Sequence, residues 1–131
     1  IFASSAAENA GINSWDALKN KEKGRKTLAD ELDTVPATLP ALMRAQKLQK
    51  RAAAHGVGPA DPAGAAAALK AAEAAWDARS AGSAQQAAGE LLLAAADAMR
   101  LEGVDAEEAL TFAARRFAAD AKAAGADQTN G

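Results

Sequence analysis

The chain has 131 residues and a net charge of −2 at pH 7, which is room for one domain and an appendage. That charge, with an isoelectric point near 5.4, excludes a dedicated nucleic-acid or anionic-membrane binder, since both need a strong positive field. The lack of cysteine excludes disulfides, zinc–thiolate sites and a thiol nucleophile.

Half of the residues are hydrophobic, yet close to a third of the chain is alanine, which favours helix and buries little area per residue. A core built from scattered Leu, three Phe, two Trp and two Met is thin for a monomer, so a homodimer is expected. Almost no stretch alternates with period two or is rich in β-branched residues. The fold class is therefore all-α. No apolar run approaches a membrane span and no signal peptide is visible, so the expectation is a cytoplasmic protein.

Ile1 to Ala10 has the apolar spacing of a short helix, with Gly11 as its stop, and Asn13 or Ser14 can cap a second through Trp15 and Leu18. The chain opens on Ile1-Phe2 without Met, so residues 1–35 are expected to be the helical end of an upstream region plus a connector. Within it, Thr27 to Leu39 carries Pro36 and an acidic DELD run and reads as that connector. Pro40 stands where a helix begins, and Ala41 to His55 follows with Leu42, Ala45, Leu48 and Ala52 on one side. Arg44, Lys47 and Arg51 form a basic stripe on another side. It can face phosphate or be a solvated surface. His55, the only histidine, lies beside Gly56 and Gly58 and reads as a helix-terminal residue.

Asp61-Pro62 starts the next helix as cap and first residue, with Ala65, Leu69, Ala72 and Trp76 turned inward and Trp76 as the core anchor. After the break at Ala81-Gly82-Ser83, Ser83 and Gln86 match a capping box. The helix they open is expected to bury Leu91, Leu92, Ala95 and Met99 and to end at Gly103. Asp105 and Glu108 match a second capping box. They launch a last helix with Leu110, Ala113 and Phe117 inward and a frayed tail over 126–131. Short turns make consecutive helices antiparallel neighbours, so the expected architecture is an antiparallel helical bundle over 36–125.

Glu73 and Asp77 are four apart and share a helix face, and Glu90 and Asp97, seven apart, share one on the next helix. Neighbouring helices that offer carboxylates to one another are how a bundle holds a divalent metal. Solvated surface charge is the other explanation for all four.

The segment LPALMRAQKLQKRAA, Leu39 to Ala53, resembles the opening helix of the C-terminal domain of MazG-type nucleoside triphosphate pyrophosphohydrolases. WDALKNKEKG and Val35-Pro36 look like the approach to it, and AAGELLLAAADAMRLEGVDAEEALTFAARRF, Ala87 to Phe117, resembles the metal helix, Gly-closed turn and final helix. The resemblance implies an all-α bundle completed by dimerisation and Mg²⁺-dependent hydrolysis of a nucleoside triphosphate to a monophosphate and pyrophosphate, with Mn²⁺ as a substitute. It also implies metal ligands at Glu73, Asp77, Glu90 and, in place of a family Asn, Asp97. Phosphate or nucleotide contacts are implied at Lys47, Arg51 and Arg116.

The chain departs from the family pattern at named positions. Ala74 and Ala87 stand where the family has carboxylates, Asp77 and Glu90 differ from it by a methylene, Ala114 replaces an Asn, and Asp120 replaces an Arg. Two functions are therefore expected to compete: a pyrophosphohydrolase with weakened or lost catalysis, and a non-catalytic dimerisation or scaffold module supporting an active domain upstream.

Overall fold

The computed structural model describes residues 27–130, with side chains to residue 126; the two helices expected before Thr27 lie outside the described residues. Among the described residues the chain is helical, with no strand, as alanine content and periodicity predict. No described helix is long and apolar enough to cross a membrane.

The chain divides into two compact units, Ile1–Pro36 and Ala37–Gly131. The described part of the first holds one short helix, α1 (Leu28–Asp33). Thr27 and Asp30 make a reciprocal capping box there, each side chain taking the other's amide at 3.2 Å. This stretch was expected to be a plain connector; the Thr-x-x-Asp spacing satisfies two orphan amides and makes a helical turn stable.

The second unit contains α2 (Ala41–Ala54), α3 (Pro62–Asp77), a 3₁₀ turn (Ala81–Ser83), α4 (Ala84–Leu101) and α5 (Ala106–Asn130). Helix α4 is central, packing along α3 on one side and against α2 and the start of α5 on others. Helix α4 closes at Gly103 as expected, and α2 closes in the same way at Gly56. Gly56 and Gly103 each take φ of 78°, and the amides of Val57 and Val104 reach back to the carbonyls of Ala52 and Met99 at 2.9 Å. These are paired Schellman closures, which need a residue tolerant of the left-handed region. Asp61 caps α3 by accepting from the Gly64 amide at 2.8 Å, with Pro62 as first helical residue. Asp105 likewise accepts from the Glu108 amide at 3.0 Å.

Four expectations are corrected. Ser83 makes no side-chain cap for α4; its hydroxyl instead accepts from the Ser80 amide at 3.0 Å, closing the 3₁₀ turn, and Gln86 donates to Glu90 at 3.0 Å. Helix α4 buries Ala87, Ala96 and Asp97 while Leu92 and Met99 are exposed. Helix α5 leaves Leu110, Ala113 and Phe117 exposed, because the bundle reaches only its first turns, and it runs on past Gly125 to Asn130. Trp76 is half-buried and roofed by the Arg79 guanidinium, 3.6 Å from the ring centroid.

Among the described residues of the second unit the buried positions are Ala65, Ala87, Ala96, Ala106 and Asp97, and no large side chain is fully buried. Alanine at the α3–α4 seam lets two helices approach closely without a thick layer of side chains between them. The bundle is thus held by backbone proximity and hydrogen bonds more than by large apolar groups.

Candidate functional site

The α2–α4 contact is a polar seam built from two glutamines. Gln46 donates its Nε2 to the carbonyls of Ala96 at 2.8 Å and Val104 at 3.1 Å, and its Oε1 accepts from the Ala106 amide at 2.9 Å. Ala106 is the first residue of α5, so its amide has no partner inside the helix. One side chain of α2 thereby ties α4, the loop after it and the start of α5 together. One turn on, Gln49 donates to the Leu93 carbonyl at 2.9 Å, and its buried Oε1 has no hydrogen-bond partner.

Beyond Gln49, α2 and α3 stand apart across α4, and a cavity of about 310 Å³ opens between them. Gln49 and Ala52 of α2, the Val57–Pro59 loop, Ala65 and Ala68 of α3, and Glu90, Leu93, Ala94 and Asp97 of α4 line it. It is an apolar cleft with two carboxylates and a glutamine, the composition of small-molecule sites. Asp97 is 8% exposed, and its Oδ1 accepts from Arg100 Nε at 2.8 Å. Arg100 Nη2 is buried with no partner. Glu90 is exposed at the rim and held by Gln86.

The four expected metal ligands are therefore divided. Glu90 and Asp97 share the cavity; Glu73 and Asp77 are exposed and do not line it. At about 100° per residue, Glu73 and Asp77 stand roughly 80° and 120° around α3 from the buried, cavity-lining Ala65, and roughly 140° and 180° from Ala68. Among the described residues no three of His, Asp or Glu form a group that could hold a metal ion. Ala87 is buried on α4, so a small covered residue stands where the resemblance implies a carboxylate.

The expected phosphate contacts lie elsewhere. Lys47 and Arg51 are about 160° from Gln49 around α2 in either sense and do not line the cavity. Lys47 is exposed, Arg51 half-buried, and Arg116 is exposed on α5 beyond the bundle.

Known proteins resemble part of the chain in sequence. No protein-family model matches. A stretch of 58 residues, 43% of the chain, is 47% identical to proteins named nucleoside triphosphate pyrophosphohydrolase from two strains of Escherichia coli. The chain spans about a fifth of the length of those relatives, 22%.

Sequence reasoning missed Gln46 and Gln49. Their signal was present: two amides three residues apart, between the apolar positions 45 and 52 and off the basic stripe. A Gln at a seam position of an alanine-rich helix needs a partner once buried.

Proposed function

We propose that this chain is a nucleoside triphosphate pyrophosphohydrolase-type helical module whose α2–α3–α4 cavity takes a nucleoside triphosphate, with cleavage between the α and β phosphates weakened. The partial identity to the Escherichia coli proteins supports the substrate class. The observation that carries the weakening is the division of the carboxylates, two at the cavity and two exposed ones that do not line it. In this reading Glu90 and Asp97 would hold Mg²⁺ or Mn²⁺ together with phosphate oxygens, a mode that suits a hard ion reluctant to shed water. The metal, when bound, supplies the positive charge that offsets the phosphates. Gln49 and the apolar wall position the ligand, and Arg100 fixes the Asp97 carboxylate. Lys47, Arg51 and Arg116 add positive field at long range rather than direct contacts.

The test is a panel of ribo- and deoxyribonucleoside triphosphates with Mg²⁺ or Mn²⁺, read as pyrophosphate release, beside calorimetry with an α,β-methylene analogue. Expected are measurable binding, slow turnover, and loss of about tenfold or more of both in Glu90→Gln, the scale of one charged contact. No binding of any nucleotide would overturn the reading.

A second reading, a non-catalytic scaffold supporting an active domain upstream, is favoured by the buried Ala87 and by the outward Glu73 and Asp77. Turnover abolished by Glu73→Ala would end that one.

A further inference from the structure

A nucleoside triphosphate is larger than the cavity between α2, α3 and α4. A cavity of roughly 150 Å³ admits one benzene ring, so about 310 Å³ holds about two such rings, whereas the ligand carries a base, a sugar and three phosphoryl groups. Along α4 the cavity adjoins an open groove of about 520 Å³, which shares Glu90 and Leu93 with it and is otherwise lined by Gly82, Gln85, Gln86 and Gly89. Gly89 lies between Gln85 and Gln86, one turn before it, and the half-exposed Leu93, one turn after. It stands in the interior of α4, and its φ is not positive. In a chain that is close to a third alanine, glycine at such a position costs helix stability. The fold supplies no reason for it. A Cβ on Gly89 would meet nothing within 4 Å, whereas one on Gly64, inside α3, would meet Asp61 Oδ1 at 3.3 Å.

We propose that the groove at Gly89 is the nucleoside half of the ligand site: sugar and base lie against the bare backbone of α4, and the phosphate chain passes Glu90 into the cavity. This rests on the nucleotide reading above. The missing Cβ is what lets a ligand approach the helix backbone closely. The polar groups decide which end lies where. Gln86 Nε2 donates to Glu90 Oε2 at 3.0 Å; a carboxylate only accepts, so the carboxamide is held with its Oε1 as the remaining acceptor. No cation lines the groove. Acceptors without a cation repel phosphate oxygens and suit ribose hydroxyls and base N–H groups. Gln85, exposed beside Gln86, adds a carboxamide that can donate and accept at once, as the edge of a base requires. Phosphate instead needs the metal that Glu90 and Asp97 would hold on the cavity side.

Calorimetry with an α,β-methylene nucleoside triphosphate and with inorganic tripolyphosphate, each with Mn²⁺, tests this in wild type, Gly89→Ala and Gly89→Leu. Gly89→Ala is expected to unfold at a higher urea midpoint, because alanine is the better helix former and its methyl group has open space. The same variant should bind the nucleoside triphosphate about tenfold or more weaker, the scale of a steric misfit at a close contact, with its affinity for tripolyphosphate unchanged. The larger Gly89→Leu should extend the loss. A nucleotide bound no tighter than tripolyphosphate, full nucleotide affinity in both variants, or an equal loss for tripolyphosphate would overturn the assignment while leaving triphosphate binding in place. A wild-type chain that binds neither probe would overturn the nucleotide reading, and the assignment with it.

Discussion

Gln46 satisfies two carbonyls and one orphan amide with one side chain. Removing it leaves the Ala106 amide, at a residue only 3% exposed, without an acceptor. Gln46→Ala should therefore cost about 2 kcal/mol, a typical penalty for an unpaired buried donor with its lost bonds, read as a lower urea midpoint at unchanged slope. Gln46→Glu sharpens the test. A carboxylate still accepts from Ala106 but cannot donate to Ala96 and Val104, so the folded state favours its protonated form and raises its pKa. A raised pKa means stability present at low pH and lost as pH rises through the folded value. The variant should recover toward wild type on acidification, whereas Gln46→Ala should not. Asp97 and Arg100 make a mostly buried pair, with side chains 11% and 17% exposed. Asp97→Ala strands the guanidinium and should cost about 2 kcal/mol or more, also read by urea melting.

At the scale of elements, the α3–α4 seam explains why the site has the form it has. Ala87→Glu, which restores a family carboxylate, places a charge at a buried position and should destabilise the chain by about 2 kcal/mol or more. The exposed Ala74→Glu should be nearly neutral. If Mn²⁺ raises the urea midpoint of the double variant and not of wild type, the added carboxylates converge on an ion.

The same seam marks what could be read from sequence. Caps at Asp61 and Asp105 and the closure at Gly103 were legible because each is set by chemistry within a few residues. The inward faces of α4 and α5 were not. Leu92, Met99, Leu110 and Phe117 have the spacing of a core stripe, but a single chain gives the stripe nothing to bury against, and periodicity carries no information about which partner covers it. For the site, Glu90 and Asp97 were found by type and spacing, whereas the split from Glu73 and Asp77 depends on which side of α3 meets α4. That is decided by alanines, whose pattern is too uniform to orient a helix.

For the whole molecule, pairing of two copies would couple folding to concentration, and a urea midpoint that rises with protein concentration is its signature. The alanine-built interior has a calorimetric consequence. Heat capacity of unfolding grows with the apolar area that unfolding exposes, and among the described residues no large side chain is fully buried. A monomeric variant should fall below the usual ~12–15 cal/mol/K per residue, which makes its stability curve broad and shallow, with cold and heat acting on it weakly over a wide range of temperature.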